Sequence, residues 1–327
     1  MKNKKTTETN ETKHLRTVKD LNEQGHHESS PGNNIFKKDT DGTLTRPCVV
    51  ALCECMKSVG ILYIGQHGRG TVVRVGCNYI ITAWHIVEGI LFPACRDSTL
   101  PDITCLQKDN ITVDFGDDRY QATEKFKLLP NIVFKDADLD IVILVLDTAE
   151  KKNNLPQPFQ WIWLRLVGIL STSMLVIGQH PSETCIVIDS ECKKICLDDE
   201  KVVKAKKWFK TNKEKLKLCR KRKGLDTNSV DSSLFEINDE RKVIIDTFLG
   251  KGASGGAIVG KSSDQTLGLV AILTHGIPPP YYDETDLKIP QELCMEVGTT
   301  MKAIKHAMEV QCVDHQIINS IFPSSHT

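Results

Sequence analysis

The chain has 327 residues, enough for one large domain or two small ones around a substantial core. Forty-two basic residues balance forty-two acidic ones, so net charge neither favours nor excludes a nucleic-acid partner, and only its distribution is informative. Nowhere do about eighteen apolar residues run together, which argues against a helical membrane span.

The first segment, "MKNKKTTETNETKHLRTVKDLNEQ", lacks an apolar h-region, so no secretory signal is expected and the chain reads as intracellular, in nucleus or cytoplasm. Residues 1–44 are polar and charged with few large apolar side chains, the composition of a disordered arm. Strand-like runs then begin: "PCVVALCEC", "GILYIG", "GTVVRVG", "NYIITAWHIV". Further on come "ITVDF", "DIVILVLD", "WIWLRLVGIL", "MLVIG", "TCIVID", "RKVIIDTFL", "GAIVG" and "LGLVAILTHG". Short β-branched runs at close spacing, with no helical pattern between them, predict an all-β barrel or sandwich. Two stretches depart from this. Between Lys201 and Lys223 lie twelve basic residues and one acidic, Glu214. At the end, "TTMKAIKHAMEV" sets Met301, Ile304 and Met308 at helical spacing behind a threonine cap.

The twelve cysteines read as reduced thiols, because disulfides persist in oxidising compartments and nothing addresses the chain to one. Cys53-x-Cys55 and Cys192-x-x-x-Cys196 lack the paired short spacings of a zinc site. No metal and no cofactor are expected.

Residues 249–263, "LGKGASGGAIVGKSS", satisfy three patterns at once. Gly255 to Ser262 fits the P-loop, but Gly256-Ala257-Ile258-Val259 reads as a strand and no helix follows to receive a phosphate. Gly252-x-Ser254-x-Gly256 fits the nucleophile elbow of an α/β-hydrolase esterase, again without its helix. The third pattern, G-x-S-G-G, is that of a serine nucleophile beside an oxyanion hole. It calls for a histidine and an aspartate upstream. Thr82-Ala83-Trp84-His85 resembles the T-A-x-H context of trypsin-like serine proteases, and "DADLDIVILVLD" resembles the strand that opens with their aspartate. Asp140 fits that register best, with Asp138 the alternative.

This resemblance to trypsin-like proteases spans about residues 47–310. It implies a mainly β, chymotrypsin-like double six-stranded β-barrel with a C-terminal α-helix. The corresponding boundaries are 45–312 for the protease domain, with barrel one at about 45–150 and barrel two at about 160–296. The helix then covers about 298–311, the basic insertion 201–223, and a tail 313–327. His85 would take the proton of Ser254, Asp140 would orient the imidazole, and the Gly252 and Ser254 N–H groups would face the oxyanion. Phe248, Leu249 and Gly250 would line one side of the primary pocket, with no acidic residue to hold Lys or Arg. Thr274, His275 and Gly276 resemble the substrate-binding strand, with Thr274 within reach of Asp140. Apolar or aromatic P1 residues are expected.

A narrower resemblance appears past residue 174. "MLVIGQHPSE", "CIVID", "IIDTFLGKGASGGAIV", "LGLVAILTHG" and "MEVGTTMKAI" are similar, in this order, to the protease domain of the nuclear "family with sequence similarity one-hundred-eleven" serine proteases. That likeness implies self-cleavage and work on protein bound to chromatin or replication machinery. The sequence also departs from its relatives. There is no sliding-clamp motif. Compared with secreted trypsins, Ala253 replaces the aspartate before the serine and Ile86 the cysteine after the histidine. The salt bridge that switches on those zymogens is therefore missing, and latency would need another source such as homo-oligomerisation.

The basic segment admits three readings: a solvated surface loop, a nuclear patch at Arg220-Lys221-Arg222-Lys223, or a site for single-stranded nucleic acid. In the last, Lys206, Lys207, Arg220 and Arg222 would meet phosphates while Trp208 and Phe209 stack on bases. The non-enzymatic alternative for the whole chain is a catalytically silent protease-like module that binds protein or nucleic acid through this segment.

Overall fold

A computed structural model describes residues 45–92, 101–116, 125–149, 155–160, 174–179, 185–222, 239–247, 249, 252–261, 267–277 and 290–323. The arm 1–44 and the run "WIWLRLVGIL" lie outside these. All described residues belong to one unit, Thr40–Thr327.

Among the described residues, twelve strands form two antiparallel sheets. The first contains β1 (Val59–Ile64), β2 (His67–Val75), β3 (Tyr79–Ala83), β4 (Ile111–Asp114), β5 (Leu128–Asp136) and β6 (Ile141–Leu146), in the order β4-β1-β2-β3-β6-β5. The second contains β7 (Met174–Gln179), β8 (Ile186–Lys194), β9 (Lys242–Asp246), β10 (Ala257–Lys261), β11 (Leu267–Ile277) and β12 (Met295–Thr300). It closes as β10-β11-β12-β9-β8-β7. Numbered within its own half, each sheet has the same cyclic order, 1-2-3-6-5-4. The first stays open between β4 and β5, bridged there by Val113 and Phe126. The architecture is thus mainly β and chymotrypsin-like, one closed six-stranded barrel and one half-barrel.

The period-2 alternation of side chains divides the core into layers. Along β6, Val142, Leu144 and Leu146 fill the first barrel, while Ile141 and Ile143 face the second. There they join Leu175, Ile177, Ala257, Val259 and Ile272 in a shared core between the barrels. Val176, Ile245, Ile258, Ala271 and Leu273 fill the second barrel.

Five helices complete the described residues. At α1 (Arg46–Met56) the structure corrects the strand expected for "PCVVALCEC". Thr45 caps the helix by accepting from Cys48 N, and Pro47 sits in its first turn, where a missing N–H costs nothing. Cys48 and Leu52, four apart, are buried while Val49 and Val50 face out, so helical spacing prevails over β-branched composition. The helix α2 (Trp84–Leu91) follows β3 directly. The basic segment is not a loop but α3 (Glu200–Arg222), a 23-residue helix. Its Val202, Ala205, Phe209 and Leu216 pack on Ile244, Met295 and Val297 of the second barrel. The expected C-terminal helix is α4 (Met301–Val310), capped by Thr300, whose side chain accepts from Ala303 N. The segment expected to be a tail adds α5 (His315–Ile321), whose Ile318 and Ile321, with Phe322, close the shared core. No described helix is long and apolar enough to cross a membrane.

Candidate active site

Strand pairing places the first two residues. Ala83, the last residue of β3, pairs with Ile141, the first of β6, so the residues just beyond them also meet. Trp84 N donates to Asp140 O at 3.0 Å. The Asp140 carboxylate then takes both donors of the next residue, His85 N at Oδ1 (2.9 Å) and His85 Nδ1 at Oδ2 (2.8 Å). Asp140 reaches this position with φ at 56°, a left-handed backbone that aspartate tolerates better than most residues. The aspartate that meets His85 is therefore Asp140 and not Asp138. With Nδ1 engaged, Nε2 is the nitrogen left to accept a proton. Burial pushes the His85 pKa down, but the Asp140 hydrogen bond and charge, with Glu88 behind, outweigh it and leave the pKa raised.

The turn that carries Ser254 comes from the other barrel. Gly252 and Gly255 both hold positive φ, 102° and 86°, on either side of Ala253-Ser254. Thr71 of β2 grips this turn twice. Its Oγ1 donates to Gly252 O (2.9 Å) and its N–H to Ser254 O (2.8 Å). The same hydroxyl accepts from Gln179 N (2.9 Å), and Thr71 O accepts from Thr82 Oγ1 (2.6 Å), three residues before His85. Ser254 is thereby fastened to the strand pair whose end carries His85. The N–H groups of Gly252 and Ser254 donate to no acceptor among the described residues, nor does Ser254 Oγ make a hydrogen bond there. Ala253 is buried against Gly178, which gives the small residue at this position a packing reason. After Ser254 the chain runs into β10, and β11 starts at Leu267, so neither the P-loop helix nor the elbow helix has room.

Thr71 and Gln179 were given no role from the sequence, and Thr82 only as the threonine of the T-A-x-H context. The available signal was a buried threonine inside the apolar run "GTVVRVG".

The expected pocket residues separate. Leu249 is 6 % exposed and packs within the second barrel with Met174 and Ala253, so it belongs to the core rather than to a pocket wall. Phe248 and Gly250 lie outside the described residues. Thr274 is fully buried and its hydroxyl donates to Val297 O (2.9 Å), not to Asp140 as expected. His275 follows at a bulge in β11, half-buried, with Gly276 buried beyond it. Burial pushes the His275 imidazole down to about 4, opposed by Asp140 and reinforced by the charges of Lys242 and His85.

On α3, Lys206, Lys207 and Arg222 are exposed, while the Arg220 side chain lies outside the described residues. Phe209 is 4 % exposed and Trp208 stacks edge-on against it at 5.8 Å. The expected pair of base-stacking platforms is corrected, because the helix spends Phe209 on its own core. Among the described residues no group of three or more His, Cys, Asp and Glu side chains is placed to hold a metal ion.

No protein-family model and no curated protein matches the chain. Two solved structures of the Rv3671c protease, each titled an inactive form, are similar in overall path. One aligns with a TM-score of 0.43 at 13 % identity, covering 80 % of this chain and 92 % of the other. The second, from M. tuberculosis H37Rv and a serine-to-alanine mutant, gives 0.41 at 11 %, covering 81 % and 92 %.

Proposed function

We propose that this chain is a serine endopeptidase with His85, Asp140 and Ser254 as its triad. One observation carries the reading: a histidine already oriented by a carboxylate at 2.8 Å stands at the end of the strand pair to which a G-x-S-G-G turn is pinned, its two N–H groups uncommitted. A serine hydroxyl is a weak nucleophile alone and needs a base that a third group orients. Ser254 Oγ attacks the scissile carbonyl as its proton passes to His85 Nε2, and the imidazolium is stabilised by Asp140. The same proton then goes to the leaving amine, and water repeats the sequence on the acyl-enzyme. The Gly252 and Ser254 amides receive the oxyanion, each such donor being worth about 3 kcal/mol of barrier.

With no acidic residue at Phe248 or Gly250, which precede the turn, the reading includes cleavage after apolar or aromatic residues. The resemblance to the one-hundred-eleven group adds self-cleavage, substrates on chromatin or replication machinery, and a place in nucleus or cytoplasm. Those parts rest on the resemblance alone. The second reading, a catalytically silent module that binds protein or nucleic acid through this segment, has the exposed Lys206 and Lys207 of α3 in its favour.

Labelling of the purified chain with a fluorophosphonate probe separates the two. We expect wild type to react while Ser254→Ala and His85→Ala do not, the histidine variant falling nearly as far as the serine one. Equal labelling of His85→Ala and wild type would rule out the triad, and no labelling of any form would favour the silent module.

A further inference from the structure

The end of β2 carries a buried charge at a distance from the candidate triad. Arg74 pairs with Ile80, near the end of β3 opposite to Ala83 and His85. Val73 and Val75 on either side of it point into the shared core, so Arg74 turns the other way. It is 7 % exposed. Its Nη1 donates to Pro156 O and its Nη2 to Cys77 O, which ties the β2–β3 turn to the segment 155–160. That tie does not need a cation. Arg74 O also accepts from Phe159 N (2.8 Å), and Ser58 Oγ donates to Gln157 O (2.6 Å), so neutral groups fasten the same segment twice more.

The two carbonyls take two of the five N–H donors of a guanidinium and neutralise none of its charge. Nε is buried and has no acceptor. No carboxylate of a described residue pairs with Arg74. Burial pushes its pKa down, and the Cys77 thiol is what opposes the shift. Arg74 also lines a pocket of about 520 Å³, together with Cys77, Asn78, Thr148, Leu155, Pro156 and Gln157.

We propose that this pocket binds a small aliphatic carboxylate, its carboxyl group on Arg74 and its apolar part against Leu155 and Pro156. A buried charge calls for a counter-charge, and the planar fork of a guanidinium matches a carboxylate. The described lining holds one cation, three neutral side chains able to donate (Asn78, Thr148 and Gln157), and no acidic residue. A singly charged anion balances that lining, whereas a phosphate dianion would leave one charge over. The volume lies within the range of roughly 300–1,000 Å³ usual for small-molecule pockets, so a molecule rather than a bare ion is of a size to fill it. The proposal is independent of the protease reading.

The test uses the full chain with isotope-labelled arginine, titrated at pH 7 and fixed ionic strength with sodium butyrate, acetate, phosphate and chloride. We expect one Nε–H signal, absent from Arg74→Lys, to move saturably with both carboxylates and to stay in place with chloride. Butyrate should half-saturate at severalfold lower concentration than acetate, because its two further CH₂ groups meet Leu155 and Pro156. If Arg74→Lys does not fold, wild type supplies the second measurement. Butyrate should slow alkylation of the exposed, pocket-lining Cys77 by iodoacetamide and leave the exposed Cys312 unaffected. No signal moved saturably by butyrate, or no protection of Cys77, would overturn the site. Phosphate acting at lower concentration than the carboxylates would overturn the ligand class.

Discussion

Gly255 sits where a side chain has no room. A Cβ there would run into the Thr71 carbonyl oxygen and Thr82 Oγ1, and its φ of 86° disfavours any L-residue. The contact it would break is the one that fastens Ser254 to β2 beside the strand bearing His85. Gly255→Ala should therefore cost about 1–3 kcal/mol in backbone strain and clash, and reduce fluorophosphonate labelling at least tenfold by an order-of-magnitude estimate. Gly65 offers the control, since its φ is 65° but no atom lies within reach of a Cβ. Gly65→Ala should lower stability by about 1 kcal/mol and leave the labelling rate unchanged, as melting curves and probe kinetics on the two variants would show. That His85 meets Asp140 was legible because each sits in a short local context that chemistry constrains. Thr71 was not, because what makes it important lies 181 residues away at Gly252 and 108 away at Gln179. Thr274 misled for the same reason: its position on the strand suggested Asp140, but its hydroxyl finds Val297 O on the neighbouring strand.

At the level of elements, most strands could be read from alternating or continuous apolar runs, but β5 and β12 were not, and of the described helices only α4 was expected. "PCVVALCEC" has strand composition, and only the Thr-x-Pro start and the four-residue spacing of Cys48 and Leu52 speak for a helix. The lysine-rich segment hides its apolar stripe, because Val202, Ala205, Phe209 and Leu216 are diluted among charges that dominate any composition count. Spaced three, four and seven apart, they form one face of α3. This face anchors the helix to the barrel, together with Lys201 at its start, whose Nζ meets Asp246 of β9 at 2.6 Å. Phe209→Ala should then cost about 3 kcal/mol and lower the melting temperature by several degrees, whereas Lys207→Ala, on the exposed side, should stay within about 0.5 kcal/mol of wild type. Equal, small effects of the two substitutions in thermal melts would mean that α3 is not docked as described.

Across the whole molecule, the candidate site exists only where the two barrels meet. The first supplies His85 and Asp140, the second supplies Ser254 and His275, and the shared core of Ile141, Ile143, Ile177 and Ile272 holds them in register. The sheets share one cyclic strand order although the sequence shows no internal repeat, since many apolar residues serve the same alternation. A junction that buries ionisable groups links stability to pH, and here two histidines pull in opposite directions. His275 binds a proton only near pH 4 when folded but near 6.5 when unfolded, so folding loses stability as pH falls through that window. His85, with its pKa raised in the folded state, contributes stability that is present at low pH and lost as pH rises through its folded value. The His275 shift is the larger, so stability in denaturant should rise by about 2 kcal/mol or less between pH 5 and 7.5 in wild type. Carboxylates held low by their partners, such as Asp239 beside Arg241, lose their contribution only at more acidic pH and do not disturb this window. His275→Phe removes the dominant group while keeping a ring in the space. Its stability should no longer rise with pH over that range and should instead fall slightly, leaving the His85 contribution alone. Urea titrations of both forms at the two pH values decide it, and a rise preserved in His275→Phe would place the acid sensitivity elsewhere.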